Sequence, residues 1–266
     1  MNNLRIDTGD ENITLRFPSS YEEMDGQHLM LAAALILNPD DHETLRRFCN
    51  IPPGLFSRLS SIQRHAIGSH AGFIASTAAA ASFREWKLPE LQVGGNTYNG
   101  PISNFGNVSW GEFIYADQCM MQGLYHAAIA AMYRQQRNGY CHETDIRVLF
   151  TTYGTVYRYG IISANLPDSE ALAVIINYRA MRRASLEETY TELFPQTSAT
   201  EEEDDTLPDD TPPAPETEQT PFSWTAVHRS LLGENITDEE RMLALPVHTV
   251  LYRLNAAIAE NRKNKH

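Results

Sequence analysis

The sequence predicts a mainly α-helical protein in three parts: a helical body over residues 1–195, a disordered linker over 196–221 and a small helical module over 222–266. Apolar residues recur at intervals of three and four through most of the chain, which is the period of an amphipathic helix. Capping residues and helix breakers bound these segments. We expect two minor β components in the body, a short N-terminal strand and a small hairpin in an insertion over about 87–108.

The linker is recognised by its composition, QTSATEEEDDTLPDDTPPAPETEQTP over residues 196–221. It holds nine acidic residues and five prolines but no lysine or arginine. Such a segment buries too little apolar surface to offset its chain entropy, so we expect it to be disordered and extended. It could contact a basic partner, but a solubilising spacer is the favoured interpretation.

Charge and cysteine content exclude several classes of protein. The net charge is −13, and the nine linker acids leave −4 for the rest of the chain. A mildly acidic body matches a phosphate backbone poorly, so we expect no nucleic-acid partner. Three widely spaced cysteines, Cys49, Cys119 and Cys141, argue for reduced, buried thiols in a cytosolic protein. The N-terminus lacks a signal-peptide pattern and no apolar run is long enough for a membrane span, so we expect no membrane contact.

The first half of the body predicts one strand followed by helices. Asn12–Phe17 alternates apolar and polar residues and ends at Pro18. Ser19 and Ser20 each stand three residues before a glutamate, as in a capping box. The apolar stripes of the helices that follow are Leu29, Ala33, Ile36 and Leu37; Leu45 and Phe48; and Leu55, Leu59, Ile62 and Ala66. A further alanine-rich helix is predicted over about 72–86.

The insertion over about 87–108 is rich in glycine, asparagine and proline. Gly94-Gly95-Asn96 lies between two β-prone stretches and predicts a hairpin turn. We therefore expect a small hairpin between two helical halves of the body.

The second half of the body predicts four helical segments. The longest, over about 110–136, begins with the capping box Ser109–Glu112 and ends before Asn138-Gly139. The others are expected over 145–159, over about 168–183 and, as a short turn, over 186–194. For the segment 145–159 the residues predicted to face inward are Ile146, Leu149, Phe150 and Tyr153.

The C-terminal module predicts a helix over 222–232, a short helix after Thr237 and a last helix that starts at Pro246. One face of the last helix carries Val247, Val250, Leu251, Leu254 and Ile258. The predicted core of the module is Trp224, Leu231, Val247 and Leu251, so their loss should unfold it.

Catalytic, cofactor and metal residues are not predicted. His65 and His70 are five residues apart and point to different faces of a helix, and the consecutive residues 141–143 (Cys-His-Glu) cannot all reach one ion. Cys119 and His126 are a weak candidate for a nucleophile and its base, since no third orienting group is visible. The partner-binding residues are left unassigned.

Several polar and aromatic groups have a structural and a functional interpretation. The arginines 179, 182 and 183 could bind an anion, the tyrosines 153, 157 and 159 could stack a ligand, and the methionines 120, 121 and 132 could form an adaptable groove. For the arginines, a solvated helix end is the favoured interpretation. For the tyrosines it is packing in the core or in an interface, and for the methionines it is filling of the core. Asp117 is the polar exception on the apolar face of the longest helix, and either an arginine partner or a capping role would explain it.

Four segments carry a resemblance to a known group of proteins. They are ITLRFPSSYEEMDGQHLMLAAALIL (13–37), YNGPISNFGNVSWGEFIYADQCM (98–120), YTELFP (190–195) and FSWTAVHRSLLGENITDEERMLALPVHTVLYRLN (222–255). They resemble hypothetical proteins from tail-gene regions of Bacteroidetes-type prophages, and the last is similar to the helical module of phage tail assembly chaperones.

The resemblance implies a non-enzymatic protein whose body and module bind different tail proteins, possible partners being the tape-measure and tail-tube proteins. A linker between two modules raises the local concentration of one partner near the other. This chain is larger than the common chaperones and carries the insertion. A structural virion subunit (connector or tail) is one alternative. A small helical enzyme with a site around Asp117, His126 and Cys119 is another.

Overall fold

The computed structural model describes residues 1–7, 12–137, 145–195, 222–233 and 236–264. The fold is mainly α-helical, as predicted, with two small antiparallel sheets of two strands each. The predicted linker, residues 196–221, lies outside the described residues. Within the part that is described, no helix has both the length and the apolar character needed to cross a membrane.

The N-terminal sheet pairs β1 (Asn2–Asp7) with β2 (Asn12–Phe17). The predicted strand is therefore confirmed, and its partner strand is an addition that the sequence pattern did not indicate. Leu15 and Phe17 are buried, as their alternation with polar residues predicts.

Five helices follow: α1 (Gly26–Leu37), α2 (His42–Phe48), α3 (Pro53–Arg58), α4 (Ser61–His70) and α5 (Phe73–Thr77). The capping boxes predicted at Ser19 and Ser20 are wrong, because α1 begins after Asp25, whose carboxylate accepts the amide hydrogen of His28. Leu37 and Ile62 were predicted to face inward but are exposed. The helix predicted over 72–86 ends at Thr77 and continues only as a 3-10 turn.

The insertion contains the predicted hairpin. Strands β3 (Glu90–Val93) and β4 (Asn96–Asn99) pair in an antiparallel register that joins Val93 to Asn96. The two intervening residues, Gly94 and Gly95, both have positive φ angles, 57° and 77°. A two-residue turn with two positive φ angles matches the twist of the strands, and glycine adopts it at no steric cost.

The helix predicted over about 110–136 is two helices, α6 (Trp110–Met121) and α7 (Tyr125–Met132). The break lies at Gly123, whose φ is +73°. That conformation cannot continue a right-handed helix, so the chain turns and α7 packs back against α6. Beyond α7 the chain becomes extended, and Arg134 forms a bridge with Asn99 at the end of β4.

The helix predicted over 145–159 is also wrong in its position. The chain after Asp145 is extended, with hydrogen bonds from Arg137 N to Ile146 O (2.8 Å) and from Val148 N to Gln135 O (2.9 Å). The helix α8 begins later and spans Thr152–Asn165. Three residues predicted to face inward are consequently exposed: Ile146, Leu149 and Tyr153.

The helix α9 (Asp168–Arg182) confirms the prediction for that segment and packs against α1 and α7. It ends in a π-helical turn over Arg183–Glu187. The described body stops at Pro195.

The C-terminal helices are α10 (Trp224–Leu232), α11 (Glu239–Leu243) and α12 (Val247–Lys263). They pack on the N-terminal end of α6, where Trp110 N donates to Leu245 O (2.7 Å) and Val247 N donates to Val108 O (3.0 Å). Trp224, Val247 and Leu251 are buried as predicted, but Leu231 is 38% exposed. The buried residues join the core of the body; independent folding of the two parts stays a prediction.

The start of α1 gives a test of this packing. A Cβ atom on Gly26 would lie 2.3 Å from Lys87 O, whereas one on Gly54, also in the first turn of a helix, would meet nothing within 4 Å. We expect Gly26→Ala to lower the free energy of unfolding by about 1–3 kcal/mol. Gly54→Ala should be neutral or stabilise by up to about 1 kcal/mol. Urea unfolding of both variants checks this, and equal midpoints would contradict the packing of residue 87 over α1.

Candidate partner-binding surface

Asp117 joins α6, α9 and α10 through one buried carboxylate. The residue is 1% exposed. Its oxygens accept hydrogen bonds from Tyr178 Oη (2.6 Å), Arg182 Nε (2.8 Å) and Trp224 Nε1 (2.5 Å). Of the two explanations offered by the sequence, the arginine partner is therefore correct. The carboxylate acts as a structural acceptor shared by three elements.

The electrostatics of this cluster follow from burial and charge. Burial and the nearby Asp117 carboxylate raise the pKa of Tyr178 well above its ordinary value, so its hydroxyl stays protonated and donates. Burial alone would lower the pKa of Arg182, but the contact with Asp117 outweighs it and raises the pKa. The contact with Asp117 therefore keeps the Arg182 guanidinium group charged.

A second charged cluster lies at the other side of α6 and consists of Glu112, Arg134, Asp145 and Arg147. Arg147 is fully buried and donates from Nη1 to Glu112 Oε1 (2.8 Å) and from Nε to Asp145 Oδ1 (2.8 Å). Arg134 Nη2 donates to Glu112 Oε2 (2.7 Å). Two acids and two bases thus balance, and the cluster fixes the extended residues 145–148 against α6.

Glu112 shows why the capping box predicted at Ser109 is only half correct. The Ser109 hydroxyl accepts the amide hydrogen of Glu112 at 3.3 Å, as in a capped helix. The Glu112 side chain, however, turns inward to the two arginines and is fully buried. Burial raises the pKa of this carboxyl, and the Arg147 and Arg134 guanidinium groups oppose that rise.

A cleft of about 620 Å³ lies beside this cluster, between the body and α11. Arg134 and Asp145 line it together with apolar residues such as Phe150 and Leu243. Glu112, Arg137 and Glu240 also line the cleft, so its charged lining has both signs.

The candidates for chemistry are spread over several elements of the fold. Cys119 is buried in α6, and burial raises the pKa of its thiol, which keeps it protonated and weakly nucleophilic. His126 lies on a different helix, α7, and the Asp117 carboxylate is engaged by its three partners. His65 and His70 are exposed on α4, residues 141–143 lie outside the described residues, and the described part of the chain holds no cluster of three metal-ligating side chains.

The arginine and methionine groups have mainly structural roles. Arg182 binds Asp117, Arg183 donates to Ala81 O (3.4 Å), and Arg179 lies over the Tyr125 ring at 5.8 Å. Met120 and Met132 fill the core, as predicted, whereas Met121 is 46% exposed.

The exposed side of α8 carries no charge. From Val148 to Pro167 the one charged residue is Arg158. Arg158 is buried, and it donates to Ala130 O (2.8 Å) and to the Thr155 hydroxyl (3.1 Å). Burial lowers its pKa to about 10. Solvent-facing helix faces normally carry charged residues, so an uncharged face rich in tyrosine is typical of a protein-binding surface.

An open groove of about 360 Å³ lies between α8 and the turn that joins α6 to α7. We define the groove by its larger lining residues: Tyr115, Leu124, Tyr125, His126, Val156 and Tyr159. Leu124 is 54% exposed and Val156 is 62% exposed, so apolar surface is available to a partner. Arg179, against Tyr125, places a positive charge at one rim.

The tyrosines at 153, 157 and 159 were predicted to pack in the core or in an interface. All three are exposed on α8, so core packing is excluded and the interface remains a prediction. The groove residues were missed because the helix 145–159 was expected to bury this side. The signal that could have found them is the run of twenty residues with a single charge.

Trp224 tests the junction between the C-terminal helices and the body. Trp224→Ala removes a fully buried ring that contacts Trp110 and Phe113, and we expect it to cost about 3–5 kcal/mol of stability. Trp224→Phe keeps a ring but removes the donor to Asp117, and should cost about 1–3 kcal/mol. Urea unfolding measures both. Tyr252→Ala, at a site 68% exposed on α12, is the control, and an equal effect there would contradict the assigned junction.

Glu112→Gln tests the second cluster. The substitution keeps the shape of the side chain but leaves two buried arginines with only Asp145 as a counter-charge. We therefore expect it to lower the free energy of unfolding by about 3–5 kcal/mol. Glu260→Gln, an exposed change on α12, should alter stability by less than about 0.5 kcal/mol. Thermal unfolding of the two variants measures both changes in stability. If Glu112→Gln resembles its control, Glu112 is not the buried counter-charge of the arginines.

Comparison with known proteins adds no relative to this description. No protein-family model, curated protein or solved structure matches the chain. What the resemblance of the four segments implies about function therefore remains a proposal.

Proposed function

We propose that this protein is a non-enzymatic assembly factor of a phage or prophage tail, similar to a tail assembly chaperone and acting in the cytoplasm of the host bacterium. The single observation that carries the proposal is the apolar groove beside the uncharged face of α8. The resemblance of the four segments supplies the biological setting. Neither nucleic acid nor membrane has a part in this proposal.

The groove suits the apolar side of an amphipathic helix. Its walls are aliphatic and aromatic, and its tyrosine hydroxyl groups and the His126 imidazole supply polar contacts. Helix-in-groove recognition uses apolar anchors at positions i, i+3, i+4 and i+7. The Arg179 charge at the rim favours a partner helix with an acidic residue beside those anchors. We therefore assign the groove to a helical segment of the long tape-measure protein.

The C-terminal helices are assigned to the second partner, the tail-tube protein. Their inner side is buried against α6. The partner would therefore contact the outer side of α12, where Tyr252 is 68% exposed. Because α11 and α12 lie on the body, the two partners would be held on one compact molecule.

The groove gives a direct test of the proposal. The chain is co-expressed with the tape-measure protein of the same phage, and the affinity of the purified pair is measured by titration calorimetry. We expect Leu124→Glu combined with Val156→Glu to weaken binding about 30-fold or more, because charges replace apolar anchors at the centre of the contact. Ile62→Glu, a change at a residue 80% exposed on α4, should leave the affinity unchanged.

Two outcomes would contradict this account. Absence of binding between the unmodified chain and the tape-measure protein would show that this protein is not the partner. Equal affinities for the groove variant and the Ile62→Glu control would show that the groove is not the binding site. Presence of the chain in purified phage particles would instead favour the structural virion subunit, since an assembly chaperone leaves the particle.

A further inference from the structure

A second feature of α8 is independent of the groove. Tyr153, Tyr157, Gly160 and Ala164, here called the seam, follow one another at spacings of four, three and four residues. That spacing places all four on one side of a helix, in the manner of a helix–helix contact. Tyr153 is 86% exposed, Tyr157 is 71% exposed, and Gly160 and Ala164 are also exposed.

The seam is free of charge. Arg158, between its two central residues, turns inward to Ala130 O. A two-fold symmetric interface places a surface against its own copy, so any charge near the axis would face a like charge. An uncharged helix side avoids this repulsion and is compatible with self-association.

The order of large and small residues is self-complementary. If two α8 helices lie antiparallel about a two-fold axis between residues 157 and 160, Tyr157 of one copy faces Gly160 of the other, and Tyr153 faces Ala164. Each tyrosine ring then lies over a small residue, and a Cβ atom on Gly160 would meet nothing within 4 Å in the chain itself. A parallel pair would set tyrosine against tyrosine and glycine against glycine, which packs poorly.

We propose that the chain forms a homodimer through the seam, with α8 antiparallel to α8 of a second copy. The two tyrosines contribute roughly 300 Å² per protomer. This is a part of the roughly 800 Å² per partner of a standard-sized interface, so we expect the dimer to dissociate on dilution.

Charge substitutions test the pairing of 157 with 160. Sedimentation velocity of the full chain across a dilution series should give twice the monomer mass of 30.0 kDa and a shift toward monomer on dilution. Tyr157→Lys and Gly160→Glu should each weaken self-association at least tenfold. The double variant should restore it, because each lysine then faces a glutamate of the other copy.

The controls separate loss of pairing from loss of folding. Both positions are exposed, so the circular dichroism of the single variants should match that of the unmodified chain and neither melting temperature should fall. Gly160→Glu should raise the melting temperature slightly, because glycine is unfavourable inside a helix. Ile62→Lys should dimerise normally. A monomeric unmodified chain at every concentration would overturn the proposal and leave the seam to a different protein. Dimerisation of the single variants with unchanged affinity would overturn the assignment to the seam.

Discussion

The buried carboxylate of Asp117 is the interaction on which the arrangement of the chain depends. It receives donors from α9 and α10 while it lies on α6, so the body and the C-terminal helices share one acceptor. A buried ion is tolerated only when it is paired and hydrogen-bonded. Tyr178, Arg182 and Trp224 satisfy this requirement together, and each would leave a partly unsatisfied charge if it moved away. The surrounding rings of Trp110, Phe113 and Phe194 exclude water from the same place.

This arrangement places charged side chains in the interior of the protein and leaves an uncharged surface on α8. The charged groups that a catalytic site could use (Glu112, Asp117, Arg134, Arg147) are buried against one another. The surface of α8, by contrast, presents apolar and aromatic side chains without charge. This contrast is the physical basis for proposing a protein-binding role. The groove and the seam lie on different sides of α8, so a partner helix and a second copy need not compete.

Local chemistry in the sequence predicted part of this structure. The hairpin at Gly94-Gly95 follows from the turn residues alone, and α9 follows from its apolar period. Asp117 was identified as an exception, but Trp224 is 107 residues away along the chain, and no local pattern indicates such a partner. Glu112 matched a capping box, and arginines 22 and 35 residues further on drew it inward instead. The same cluster holds residues 145–148 extended, and the local sequence does not reveal this. The helix was therefore expected to begin at residue 145 instead of Thr152, and the exposed side of α8 was expected to be buried.

Hydrogen exchange measured by mass spectrometry tests the central claim most directly. The peptides of interest are α6 in the body and α12 in the C-terminal part, compared in the full chain with Asp117→Asn. If the buried carboxylate couples the two parts, the slowest amides of α6 and α12 exchange with the same free energy of opening. The substitution should lower both by the same amount. Loss of protection in α12 alone, with α6 unchanged, would show that the C-terminal helices open separately and would contradict the account.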